Sequence, residues 1–310
     1  MRGKFNIIKS FILPILCGGS RVWSKGQDLS GIPFLSRKKR SAQPQKKGQV
    51  NQEKNEKVAK DILWPSAFSG SNPLPRTNNF RMKGMRQYTP EKYIRTVENI
   101  DDSIVQNYMQ VEMDLIRNIK GSKDKTFIDL GAGYGRVLHL LAQIARNVIA
   151  IEINPAMLSE LRKRARKHRN VKVIKGDMLK LYKLLEKEDV KNPVLLILQN
   201  TLGTIEGDYR KVLNQMKLVA KRYNGEVVIS MLKSESLRSW GLKMYSKLKA
   251  MVGEVDLEKT DPINGFFVSK TGYASRWWSS DDIKQIKDFF GGNVTKEILT
   301  PNFCILEIKI

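Results

Sequence analysis

From residue 126 onward, short apolar runs alternate with helical patterns, and this alternation restricts the fold more than any other feature of the chain. "FIDLG", "NVIAIEI", "VKVIKG", "PVLLILQN" and "EVVISML" have the length and composition of buried strands. Between them lie "RVLHLLAQIA", "NPAMLSELRKRARKH", "LKLYKLLEKE" and "GDYRKVLNQMKLVAKRY". A strand apolar on both faces must be covered on both, and parallel neighbours need a crossover long enough to hold a helix. The pattern therefore predicts an α/β chain with a parallel sheet between two helical layers. The rhythm then breaks. "GFFVSKTGYASRWW" reads as an extended pair, "SSDDIKQIKDFFGG" as a capped helix, and "VTKEIL" with "NFCILEIKI" as two closing strands. The link between those two is too short for a helix, so they must be antiparallel. One mixed sheet of about seven strands follows, and no internal repeat is present.

Ahead of the sheet, "TPEKYIRTVENIDDSIVQNYMQVEMDLIRNIK" reads as helix. Thr89 suits a cap, Pro90 the first turn and Glu91 the positive helix end. Ile104, Tyr108, Val111 and Leu115 then form one apolar face. Residues 1–85 read differently. "SRKKRSAQPQKKGQVNQEKNEK" lacks the apolar surface to offset its ordering entropy, and the proline-rich "WPSAFSGSNPLPRTNN" reads as a linker. The division expected is a basic, largely disordered extension over 1–85 and one domain over 86–310. Met82 and Met85 keep open a start codon assigned too far upstream.

Within the domain, "FIDLGAGYGRV" places Gly131, Gly133 and Gly135 between a strand and a helix. That arrangement aims backbone N–H groups and a helix N-terminus at a ligand beyond the strand's carboxyl end. Glu152 closes the next strand after an unbroken apolar run, where its carboxylate can accept from both hydroxyls of a ribose. Two details separate the candidate ligands. The dinucleotide fingerprint is G-x-G-x-x-G, whereas here the glycines alternate and Arg136 stands where that fingerprint has its last glycine. Asp129, two residues before the first glycine, would repel a pyrophosphate and attract a sulfonium or ammonium. A nicotinamide-dependent oxidoreductase is therefore disfavoured, and a cationic nucleoside cofactor is expected.

These segments resemble the ordered motifs of the class I S-adenosylmethionine-dependent methyltransferases. "FIDLGAGYGRV" resembles the first motif, "VIAIEIN" the ribose-binding strand end, and "VKVIKGDML" the adenine-contacting segment. The likeness runs from about Tyr88 to the C-terminus and includes "SRWWSSDDIKQIKDFFGG" before the last strand pair. It implies a Rossmann-like, seven-stranded sheet with an antiparallel last strand, and S-adenosyl-L-methionine as cofactor. By position, Asp129, Gly131, Ala132, Gly133 and Gly135 would hold its methionine part. Glu152 would hold the ribose, Ile153 would flank the adenine, and Asp177 with Met178 would meet the adenine edge.

Methyl transfer from a sulfonium requires an aligned nucleophile and excluded water more than a dedicated base. The absence of a catalytic triad fits that demand, and two histidines and two cysteines cannot form a His/Cys-rich metal site. After the fourth strand comes "LQNTLGTIEG". Relatives that methylate adenine or glutamine amides carry an Asn/Asp-Pro-Pro-aromatic tetrapeptide here, and Gln199-Asn200-Thr201-Leu202 departs from it. Asn200 and Thr201 are the candidates for orienting a substrate, with Asn200 also a cofactor contact; turn formation is the plain alternative. Tyr273, Trp277 and Trp278 could enclose a planar or cationic substrate, although at least one of the adjacent tryptophans must face the core. Tyr88, Tyr93 and Tyr108 are lid candidates, with core packing favoured for Tyr108. His139 reads as a partly buried helix residue and His168 as part of a solvated basic face.

The net charge of +24 is uneven: residues 1–90 carry 18 Lys and Arg against 4 acids, the remainder 37 against 27. "RKRARKHR", Arg162 to Arg169, adds seven basic side chains in about two turns. The expected partner is a small-molecule substrate, with RNA or a ribosomal particle as the rival, drawn by counterion release. Against the rival, no aromatic residues interleave with the basic runs. Cys17 and Cys304 make no paired spacing, which suits a reducing compartment. No stretch reaches the ~20 apolar residues of a membrane span. A cytoplasmic location is expected, or a mitochondrial matrix one if residues 1–52, with Asp28 as their single acid, act as a transit peptide. "FILPILC" resembles a short signal core, but Pro14 interrupts it.

Overall fold

The computed structural model describes residues 89–310. The expectations for the extension over 1–85, for Tyr88 and for Cys17 fall outside the described residues. Thr89 Oγ1 accepts from Lys92 N and caps α1, Pro90–Tyr93, which runs on as a π-helical turn over Ile94–Glu98. A new helix, α2, covers Ser103–Arg117. The single helix expected here is thus divided, because Asp102 Oδ1 accepts from Ile104 N and Val105 N and starts a second N-terminus.

The alternating core follows: β1 (Thr126–Leu130), α3 (Leu138–Ile144), β2 (Asn147–Glu152), α4 (Pro155–Ala165) and β3 (Val171–Lys175). The stretch "LKLYKLLEKE" shrinks to a 3-10 turn, Met178–Lys180, and the single-turn α5, Leu181–Leu184. Next come β4 (Val194–Ile197), α6 (Arg210–Tyr223) and β5 (Glu226–Leu232). Residues 234–252, left unassigned by the sequence pattern, fold into turns of helix ending in α7 (Leu242–Lys247) and α8 (Lys249–Val252). The extended pair is the hairpin β6 (Phe266–Val268) and β7 (Ala274–Arg276). A capping box between Ser279 and Asp282 opens α9, Ser280–Phe290, before β8 (Val294–Leu299) and β9 (Phe303–Lys309).

The large sheet has the order β3-β2-β1-β4-β5-β9-β8, with β9 antiparallel to both neighbours and the remaining pairs parallel. It is the mixed, seven-stranded sheet that the sequence predicts. The chain leaves β1 first towards β2 and later towards β4, so strand order reverses at β1. The carboxyl ends of β1 and β4 border the crevice where open α/β sheets bind ligands. Side chains alternate between two cores. Phe127, Val148 and Leu196 pack under α2, α3 and α4, while Ile128, Ile149 and Ile197 pack under α6 and α9.

The same alternation settles Trp277 and Trp278. Trp277 enters the first core, where Nε1 donates to the Tyr245 hydroxyl at 3.0 Å; Trp278 enters the second, edge-on to Tyr209. Both are fully buried. Neither encloses a substrate, because a segment lying between two packed layers has no solvent face to offer. Tyr273 packs against Tyr245 and Phe267 in the first core.

Candidate active site

The turn after β1 is built on left-handed backbone. Gly131 has φ +70°, and a Cβ there would stand 2.9 Å from Thr201 Cγ2 and 3.3 Å from Met178 Cε. A side chain is excluded by both conformation and space. This close approach brings the ends of β1, β3 and β4 together. Gly133, at φ +59°, would meet nothing within 4 Å, so the turn leaves an open cradle at its crest. Gly131 N and Ala132 N both donate to Ile151 O at 3.0 Å, fixing the turn to the end of β2.

Glu152, at that end, is 7% exposed. Its Oε2 accepts from Gly133 N at 2.7 Å, and its Oε1 from Ile153 N at 2.8 Å and Asn154 N at 2.7 Å. Burial raises its pKa and these three backbone donors pull it back. A carboxylate offers about four lone-pair sites. Three are taken, so the pinned group keeps about one acceptor position, on Oε2, for a ligand hydroxyl while its direction is fixed. Ile153 beside it is 41% exposed, an apolar surface suited to one face of a purine.

Asp129 is 3% exposed, and among the described residues no hydrogen-bond donor to its carboxylate is found. Burial is the main cause that pushes its pKa to about 7; the Arg136 guanidinium opposes the shift, and the Glu152 and Glu112 carboxylates add to it. A buried acid without a donor is costly, and a cation placed beside it would satisfy it. Tyr134, in the crest of the turn, lies between the Tyr93 ring at 5.7 Å and the Arg164 guanidinium at 4.5 Å. Its buried hydroxyl has no partner among the described residues. These unsatisfied groups, the open cradle and the pinned Glu152 fit a nucleoside bearing a positively charged tail.

Behind Asp129 lies a polar network that the sequence pattern does not reveal. Glu112, fully buried on α2, pairs with Arg136 and accepts from the Ser230 hydroxyl of β5 and from Gln199 N, the last at 2.7 Å. Tyr108 donates to Ser230 Oγ at 3.0 Å. Burial disfavours the Arg136 charge, but Glu112 overrides it and holds the pKa above the ordinary value. Gln199 and Asn200 both have positive φ, 49° and 56°, which is costly for side chains of this kind. The Tyr93 hydroxyl donates to Gln199 Oε1, so this lid candidate reaches the end of β4. Tyr108 is buried in the core. A carboxylate at Glu112, one turn after Tyr108 and within the apolar face, was the available signal for this network.

Asn200 stands elsewhere in function. Its Nδ2 donates to Ser275 Oγ and Arg276 O, and its Oδ1 accepts from Leu232 N and Trp278 Nε1. Every hydrogen-bonding position of the carboxamide is filled by the protein, so this side chain ties β4, β5 and the β7 segment rather than facing a ligand. Thr201 touches Gly131 through its methyl group. Asp177 Oδ1 accepts from Leu179 N at 2.9 Å and starts the turn after β3, with Met178 against the glycine turn. His139 is exposed and meets the His168 ring at 5.3 Å, away from these groups. No group of acids, histidines and cysteines able to hold a metal ion occurs among the described residues.

Sheet order, crevice and glycine turn together define a Rossmann-like α/β domain that binds a nucleoside cofactor. A sequence model described as "Methyltransferase domain" matches residues 121–283, more than half of the chain, and the chain belongs to that family. It is a class I S-adenosylmethionine-dependent methyltransferase domain, as the order of its motifs predicts. Among individual proteins, it is 29% identical over 99 residues to a ribosomal RNA small subunit methyltransferase A of Syntrophus aciditrophicus, covering 32% of this chain and 35% of that protein. It is 42% identical over 64 residues to an rRNA adenine N-6-methyltransferase of Bacteroides fragilis, covering 21% and 24%. The chain spans between about a fifth and a half of the length of the curated relatives it matches. A crystal structure of an S-adenosylmethionine-dependent methyltransferase from Clostridium acetobutylicum superposes with a TM-score of 0.45 at 13% identity, covering 71% of this chain and 96% of that one. No helix among the described residues is long and apolar enough to cross a membrane.

Proposed function

We propose that this protein transfers a methyl group from S-adenosylmethionine to a nitrogen or oxygen nucleophile. When bound, the cofactor supplies an electrophilic methyl on a sulfonium, with a thioether as leaving group. The chain's part is to hold and to exclude. Glu152 orients the ribose through oxygens already fixed by Gly133, Ile153 and Asn154; Ile153 and Met178 flank the adenine, and Asp177 meets its edge. Asp129 neutralises the positive tail, with the turn from Gly131 to Gly135 closing round it. Tyr93 and Gln199 border the place of the acceptor, where water must be kept out. The observation that carries this reading is Asp129, a buried acid without a donor beside an open glycine cradle.

The acceptor's size is a separate question. A small molecule is the first expectation from sequence. RNA is the second, favoured by the rRNA methyltransferases among the relatives and by the basic face of α4. In this reading residues 86–310 form the catalytic domain and 1–85 a basic extension, acting in the cytoplasm or in the mitochondrial matrix. Incubating cell extracts with a radiolabelled methyl donor, before and after nuclease treatment, tests both. Label that survives nuclease in a small-molecule fraction supports the first acceptor, label lost with the RNA supports the second, and no labelling above a Glu152→Ala control contradicts the proposal.

A further inference from the structure

The basic residues of α4 do not all point into open solvent. Leu158, Leu161 and Ala165 turn inward, and Arg162 on α4 and Arg166, the residue that caps its C-terminus, border a shallow, open cleft of about 330 Å³. His168 closes one side, and Ala165, Val171 and Val173 form an apolar floor. Among the described residues, neither Arg162 nor Arg166 has an acid within ion-pair distance, whereas Arg164 on the adjacent face is paired with Glu160. Val171 and Val173 lie on β3, an edge strand, and Lys175 follows on the same face at period two. Lys175 is exposed, has no acidic partner among the described residues, and is paired in register with Glu152.

Beyond the cleft β3 carries the sheet edge on, for about 13 Å at 3.3 Å per residue, from Val171 to Lys175 at the level of Glu152. A free phosphate would be served by cations converging on one point. Here Arg162 and Arg166 share one cleft, while Lys175 lies two residues along β3 from its last lining valine. Such a spread of charge beside an apolar floor suits successive phosphates with a base laid against the valines.

We propose that this strip is a binding track for single-stranded RNA, leading from the α4 cleft to the mouth of the active site. The idea rests on the methyltransferase reading for its direction, not for its binding. RNA lying on the track would deliver a nucleotide to the crevice, which makes an RNA base or ribose the acceptor.

The test uses the full chain and a fluorescein-labelled oligouridylate, with anisotropy followed across a salt series. Arg162→Ala/Arg166→Ala/Lys175→Ala is compared with a charge-matched control, Lys211→Ala/Lys243→Ala/Lys296→Ala, at exposed lysines on other elements. The track variant is expected to bind at least tenfold more weakly and to lower the salt slope by about 2, the value for three lost single-strand phosphate contacts. The control is expected to retain the wild-type slope. Equal weakening of both variants, or no change in either, overturns the proposal, as does displacement of the RNA by millimolar inorganic phosphate. Calorimetry with S-adenosylhomocysteine on the same preparations separates the two readings. Loss of nucleoside binding by the wild type with RNA binding intact sinks the methyltransferase and leaves the track.

Discussion

Gln199 N donates to Glu112 Oε1 at 2.7 Å, joining the end of β4 to a helix 87 residues earlier in the chain. The bond lies where two successive non-glycine residues are held in left-handed backbone, a conformation that persists only when its surroundings impose it. Glu112 imposes it from one side by accepting from Gln199, while Asn200 does so from the other through its contacts to β5 and the β7 segment.

Removing Glu112 leaves the largely buried Arg136 guanidinium without its ion-pair partner. Breaking a buried ion pair from one side costs about 3–5 kcal/mol. Glu112→Ala is expected to lower unfolding free energy by about that amount in urea, and Glu112→Gln, which keeps an acceptor for Gln199 N, by less. Equal stability of Glu112→Ala and wild type would show that the network carries no weight.

Asn200 separates a structural role from a ligand-binding one. Asn200→Ala strands the buried Trp278 Nε1 and Leu232 N donors, and each unsatisfied group costs about 1–3 kcal/mol. The expected result is a clear drop in melting temperature, with S-adenosylhomocysteine affinity within a few-fold of wild type where the protein stays folded. A large loss of affinity without loss of stability would restore Asn200 as a cofactor contact.

Cofactor affinity should depend on pH through Asp129. Its pKa of about 7 in the free protein falls when a cation is bound beside it, because ionisation is then favoured. Binding therefore strengthens as pH rises and levels off above about 7. Below that it weakens by up to tenfold per pH unit, until the lower pKa of the bound state is reached. Titrations with S-adenosylmethionine between pH 5.5 and 8.5 should show this slope, and Asp129→Asn should abolish it. An unchanged slope in the variant would assign the titration to another group.

The sheet was legible because its cause is local. Runs such as Val148–Ile151 and Val194–Ile197 state their burial on both faces, and the short link at Pro301 dictates an antiparallel return. The places of Asp129, the glycines and Glu152 were legible for a related reason, since they sit at strand ends that follow from those runs. The polar network behind Asp129 was not. Tyr93, Glu112, Gln199 and Ser230 meet through contacts spanning 87 to 118 residues, and of the four only Glu112, an acid within an apolar helix face, is marked by its neighbours. Trp277 and Trp278 failed in the opposite sense. Alternation requires one of two adjacent aromatics to face the core, and only the covering of both faces of their segment shows that the other does too.

The most direct test is a calorimetric titration of S-adenosylhomocysteine into the wild-type protein and into Glu152→Ala. Loss of the carboxylate that Gly133, Ile153 and Asn154 hold in place should weaken binding at least tenfold, while circular dichroism remains that of the wild type. Indistinguishable affinities for the two proteins, or no binding by the wild type, would contradict the account.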